Sequence, residues 1–138
     1  MTPRESIEAE CGRRGRDAVV AGCMTLLEGG EVDPELIVAL GGPPARWALT
    51  GDEGGPDYWL RVWAARGLLW AWDPSATGAL VEVLSDPAWR VREMAAKVAA
   101  RHLLGDALPA LERLRDDPVP RVRVAAERAA TRIVAESA

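Results

Sequence analysis

Pro56-Asp57-Tyr58-Trp59-Leu60-Arg61, Pro87-Ala88-Trp89-Arg90-Val91-Arg92 and Pro118-Val119-Pro120-Arg121-Val122-Arg123 are three versions of one phrase. Their prolines stand 31 residues apart, twice over, and the register is met again at Ala64, Ala95 and Ala126. Each copy reads Pro-x-x-x-(Leu/Val)-Arg-x-x-Ala and opens a helix that runs on for about three more turns. A proline can begin a helix without forfeiting a useful donor. The alanine pairs at 64/65, 95/96 and 125/126 let neighbouring helices approach closely. A fixed period of this size marks a stacked-repeat architecture. One hairpin cannot bury both its faces, so the copies must stack.

Working outward, each long helix is preceded by a shorter one. Asp73-Pro74-Ser75 breaks the chain, and Thr77 to Leu84 gives a short helix with Leu80, Val81 and Leu84 inward. Ser85-Asp86-Pro87 turns into a long helix from Trp89 to Leu104. Gly105-Asp106 ends it, Ala107 to Arg115 is short again, and Asp116-Asp117-Pro118 leads into Arg121 to Ala135. The first long helix is expected over Tyr58 to Trp72. Thr50-Gly51-Asp52-Glu53-Gly54-Gly55 reads as a plain linker, since two carboxylates and no following lysine contradict a phosphate-cradling loop. Upstream, Arg16 to Glu28 is helical and Gly29-Gly30 stops it. Asp33-Pro34 caps a short helix carrying Leu36, Ile37 and Leu40, with one further turn over Pro44 to Leu49. Residues 1–15 read as a frayed or short helix interrupted by Gly12 and Gly15.

Composition narrows the function classes. With 138 residues, no Phe and abundant Ala, Val and Leu, the chain fits one all-helical domain. No apolar run is long enough to span a bilayer, and the acidic start does not read as a signal peptide, so a cytoplasmic protein is expected. Cys11 and Cys23 form no CxxC pair and His102 is the sole histidine, so no metal or other cofactor is expected. The two cysteines read as reduced, small hydrophobes. The net charge is −4, unevenly spread: residues 1–87 carry 7 basic against 14 acidic groups, and residues 88–138 carry 10 against 7.

Asp86-Pro87-x-x-x-Val91-Arg92 and Asp117-Pro118-x-x-x-Val122-Arg123, each followed by an Ala-rich helix, resemble HEAT repeats of the short bacterial kind. The resemblance covers residues 56–134 well and residues 1–55 poorly. It implies that the Asp and Arg join a ladder between neighbouring repeats while the Val is buried. The first copy departs from it, with Gly55 at the Asp position. The Trp-x-x-Leu-Gly and Thr-Pro-Leu-His signatures of tetratricopeptide and ankyrin repeats are absent. Deoxyhypusine hydroxylase-like proteins bind iron through repeated His-Glu pairs, which His102-Leu103 excludes. Phycobilin lyase-like proteins are longer and nothing specific supports one. The basic concave face of HEAT-like alkylpurine DNA glycosylases is the closer comparison. The expected fold is an all-α, right-handed α-solenoid of about three HEAT-like hairpins. Residues 1–55 form an irregular helical cap on it, within a single domain spanning 1–138.

One stripe is the candidate site. On a helix at about 100° per residue, Arg90, Lys97 and Arg101 lie within about 40° of one another. One repeat later the same positions are Arg121, Arg128 and Arg132; one repeat earlier they are Trp59, Arg66 and Trp70, with Trp63 aligned to Met94. Three readings stand. In the first, the arginines are solvated or paired with Glu93, Glu112 and Glu127, and the tryptophans pack under the N-terminal helices. In the second, the stripe binds an acidic protein or peptide segment, since Trp and Arg dominate binding hot spots. In the third, the arginines contact phosphates and Trp stacks on a base. Non-catalytic protein binding is the preferred reading, with nucleic acid as the alternative. His102, aligned with Ala71 and Ile133, is expected on the packed side as a hydrogen-bonded core residue. Trp89, at the inter-helix turn, is expected to be a packing plug.

Overall fold

A computed structural model describes residues 1–50 and 57–137, with residues 49 and 50 traced by backbone alone. Of the expected linker, Thr50 is the last residue of a short helix, while its remainder through Gly55 and the first proline of the series fall within 51–56 and lie outside the described residues. The described residues are helical, without strands. The chain divides into two compact units, Met1–Ala76 and Thr77–Ala138.

The first unit opens with α1 (Pro3–Arg14). The expected frayed or short helix is a short, capped one: the Thr2 hydroxyl accepts from the Glu5 amide at 3.1 Å and Glu5 accepts from the Thr2 amide at 3.0 Å. This reciprocal capping box satisfies two otherwise orphaned donors, and Gly12 is carried inside the helix. Gly15, at φ +90°, separates α1 from α2 (Arg16–Leu27). At the end of α2 the Gly30 amide donates to the Thr25 carbonyl at 2.8 Å and the Gly29 amide to Leu26 at 3.1 Å. Gly29 sits at φ +80°, the left-handed turn of a Schellman motif. α3 (Pro34–Gly41) starts where expected, with Asp33 accepting from the Leu36 amide at 2.9 Å. A 3₁₀ turn at Pro43–Ala45 and the short α4 (Trp47–Thr50) follow.

α5 (Tyr58–Gly67) stops a turn and a half before Trp72, the expected end. From there the amides of Leu69 and Trp70 bond three residues back, to Arg66 and Gly67, so the helix tightens and ends. α5 packs against α2 and α3, and α1 packs against both α2 and α3. Close approach governs these contacts: a Cβ on Gly67 would stand 2.7 Å from Leu40 Cδ2 and 3.1 Å from Cys23 Sγ. A Cβ on Gly41 would stand 2.6 Å from the Trp63 ring and 2.7 Å from Ala45 Cβ. Ile7, Val19, Cys23, Leu36, Leu40 and Leu68 form the fully buried centre of this unit.

The second unit holds two successive helical hairpins of the repeat. α6 (Thr77–Glu82) and α7 (Trp89–Arg101) make one hairpin, α8 (Leu108–Arg113) and α9 (Pro120–Ser137) the next. The 3₁₀ turns at Pro74–Ala76 and Val83–Ser85 recur at Gly105–Ala107 and Leu114–Asp116, so every element begins again 31 residues on. α7 and α9 pack along their lengths, Val91, Ala95, Val98 and Ala99 facing Val122, Ala126, Ala129 and Ile133 in the core. α7 ends three residues before Leu104. Leu103, at φ +53°, takes the left-handed position, and the Leu104 amide returns to Ala99 at 3.0 Å. His102 is the half-buried residue that ends α7, not a member of its fully buried face.

One rung of the ladder implied by the resemblance is present between the two hairpins. Arg92 reaches from the first hairpin to Asp117 of the second through Nε at 2.8 Å and Nη2 at 3.2 Å. Its Nη1 donates to the carbonyls of Asp86 and Pro87 at 2.8 and 3.1 Å. Asp117 also accepts from the Val119 amide at 2.9 Å, as Asp86 does from Ala88. Burial pushes the Asp117 carboxyl up, but hydrogen bonds from Arg92 and the Val119 amide outweigh it and leave it below its ordinary value. Arg123 repeats the local half of the motif, donating to the Asp117 carbonyl at 2.6 Å.

Candidate partner-binding groove

Between α7 and α9, within the second unit, runs an open groove of about 750 Å³. Its apolar lining is short, made by Ala100, Pro120, Val124 and Ala125. Lys97, Arg121, Arg128 and Arg132 stand along its walls, with Glu93 among them. The stripe assembles because residues seven and eleven apart share a helical face, and because the 31-residue repeat returns that face in register on the next helix.

Glu93 is the pivot. Its carboxylate is mostly shielded, with 12% of the side chain exposed, and accepts from Arg121 Nε at 2.8 Å while Lys97 Nζ stands 4.0 Å away. One carboxylate thus faces two cations from successive hairpins. Arg128 and Arg132 are exposed and make no hydrogen bond or ion pair among the described residues. Four cations against one carboxylate leave the groove strongly positive. Glu112, expected as a possible partner of the stripe, pairs instead with Arg115 at 3.2 Å.

Trp89 is a half-exposed residue at the mouth of α7, flanked by cations: the Arg90 guanidinium lies 4.5 Å and that of Arg121 5.4 Å from its ring centroid. These are cation–π distances. Trp89, expected as a packing plug, also carries two guanidiniums, one from the next position and one from one repeat and one residue later. Arg101 is exposed on the last turn of α7 and does not line the groove.

The three remaining candidates belong to the first unit. Trp59 is half-buried, its ring 6.1 Å from that of Trp63 and 5.4 Å from that of Tyr58. Trp63 is buried against Gly41 of α3, and Trp70 is half-buried in the turn after α5. Arg66 turns toward α3, donating through Nη2 to the Leu40 carbonyl at 2.8 Å.

Other chemistry is sparse. Cys11 and Cys23 are free thiols, and burial pushes Cys23 up to about 12, so it stays protonated at neutral pH. Among the described residues no three His, Cys, Asp or Glu side chains cluster as metal ligands, and no helix is long and apolar enough to cross a membrane.

Paired short and long helices, stacked through an Asp–Arg ladder at a 31-residue period, define an all-α solenoid. The family model described as HEAT repeats matches residues 46–131, and the chain belongs to that family. No curated protein and no solved structure matches it.

Proposed function

We propose that the second unit is a non-catalytic binding module that takes an acidic protein segment along the α7–α9 groove. HEAT repeats generally mediate protein–protein interaction, typically as a non-catalytic scaffold. The observation that carries the finer reading is that Arg128 and Arg132, unpaired among the described residues, stand beside Lys97 and Arg121 and an apolar lining. A carboxylate-bearing segment would neutralise them while its aliphatic groups cover Ala100, Val124 and Ala125. Arg90 and Arg121 around Trp89 extend the cationic surface at one end of α7. Rigid helices preorganise these side chains, so little ordering is required when a partner arrives.

Titration with a fluorescein-labelled peptide of alternating Glu and Leu tests this, against a labelled single-stranded oligonucleotide of equal charge. The peptide is expected to bind the more tightly, and K97A/R128A/R132A to weaken it by about tenfold or more. Preference for the oligonucleotide, with affinity falling steeply as salt rises, would establish the nucleic-acid reading instead. Equal binding by wild type and triple variant would remove the groove from consideration.

A further inference from the structure

A second cleft, of about 750 Å³, opens within the first unit between α1, α3 and the Gly42–Pro44 turn, with Arg66 of α5 in its wall. Its body is apolar, built from Pro3, Ala9, Val38 and Pro43. Arg13 and Arg46 are at its exposed rim together with Glu35, and the size lies within the range of small-molecule sites.

Arg66 is the anomaly. It is half-buried; among the described residues its one hydrogen bond runs from Nη2 to the Leu40 carbonyl, and its Nε is shielded from solvent with no acceptor. No carboxylate pairs with it among the described residues, and burial alone lowers its affinity for its proton. Arg14, in the same unit, shows the ordinary solution. Asp33 takes it in a two-pronged contact at 2.7 and 3.1 Å, Glu10 adds a third at 3.3 Å, and those hydrogen bonds raise its pKa. Glu10, which also lines the cleft, is already engaged by Arg13 and Arg14. Arg46 makes no hydrogen bond or ion pair among the described residues. A shielded cation without a counter-charge is costly, and native proteins pair such groups.

We propose that this cleft is a binding site for a small carboxylate with an apolar body, its carboxylate on Arg66 and Arg46 and its hydrocarbon against Pro3, Val38 and Pro43. Guanidinium–carboxylate recognition supplies the specificity, and a modest shift of the flexible Arg66 side chain presents Nε to the incoming oxygen. The apolar walls favour such an acid over inorganic phosphate, which has nothing to place against them. This site is separate from the α7–α9 groove and does not depend on its function.

Calorimetric titration of the full chain with octanoate, octanamide and inorganic phosphate tests it. Octanoate is expected to bind saturably, octanamide about tenfold or more weaker, and R66Q to lose octanoate by a similar factor while melting no lower than wild type. A9W, which fills the cleft from an exposed position on α1, is expected to abolish binding even if R66Q fails to fold. Equal affinity for octanoate and octanamide would reduce the site to an apolar crevice, and equal affinity for phosphate would reduce it to surface arginines. Octanoate bound as well by A9W as by wild type would place the ligand elsewhere. Each of these results overturns the proposal, as does the absence of saturable octanoate binding.

Discussion

Arg66, Lys97 and Arg128 hold one register, 31 residues apart, yet the two units treat them differently. In the second unit Lys97 and Arg128 are exposed in an open groove, beside a carboxylate that serves two hairpins. In the first, Arg66 is half-buried, held by one carbonyl of α3. Periodicity assigns a residue to a helical face, but whatever packs on that face decides whether it meets water, a carboxylate or a ligand. The same contrast governs the buried charges. Arg92 finds Asp117 because the repeat delivers an aspartate to the same place on the next hairpin. In the first unit each cation must find its own partner, as Arg14 does with Asp33 and as Arg66, among the described residues, does not.

Breaking the ladder is the most severe test of that contrast. Asp117→Ala leaves Arg92, with 13% of its side chain exposed, without its carboxylate, and removes the acceptor of the Val119 amide. A loss of about 3 kcal/mol in urea unfolding is expected. Asp33→Ala in the first unit is expected to cost only about 1 kcal/mol, a helix cap whose partner arginine is nearer water. A similar loss for both would erase the distinction between periodic and single partners.

Gly41→Ala comes next. Its Cβ would collide with the Trp63 ring and Ala45, neither of which is the free end of a flexible chain. Overpacking of about 1–3 kcal/mol is expected, read as a lower thermal midpoint. Gly78→Ala, with open space around its Cβ, is the matched control in the second unit and is expected to be neutral or stabilising.

Acid is a gentler probe. The Arg14 guanidinium and the Leu36 amide hold Asp33 down to about 2, and Asp117 also sits below its ordinary 3.8. A carboxylate whose folded pKa is depressed stabilises fully above its unfolded value and loses that contribution as pH falls through the folded one. Stability is therefore expected to decline from about pH 5 toward pH 2. Asp117→Asn and Asp33→Asn are expected to flatten that decline, measured by urea unfolding at each pH.

The smallest effect concerns helix ends. Both units use the same left-handed closing turn, with Gly29 after α2 and Leu103 after α7. Leu103→Gly removes a Cβ from that conformation, and because Leu103 is 40% exposed it forfeits little burial. A gain of about 0.5 kcal/mol is expected in unfolding experiments.

Much of this was open to sequence reading, for identifiable reasons. The proline series and the 31-residue period depend on local signals, and the helices and 3₁₀ turns of the second unit recur at that spacing. The cationic face of Lys97, Arg121, Arg128 and Arg132 followed from helical periodicity, which is geometry and not contact. The Thr2–Glu5 capping box was equally local and went unread behind Gly12 and Gly15. The end of α5 at Gly67 was less accessible, because Leu68 to Trp72 remain helix-compatible in composition.

What the sequence alone determined is the all-α repeat, its period and the face that carries the basic stripe. These arise from residues repeating at fixed separations, where backbone propensity and covalent spacing suffice. Only the tertiary structure decided that Glu93 bridges two hairpins, that Trp89 lies among arginines, and that Arg66 stands in a cleft with no counter-charge among the described residues. Those outcomes depend on which side chains from distant segments are brought within a few ångströms of one another, and packing alone supplies that information.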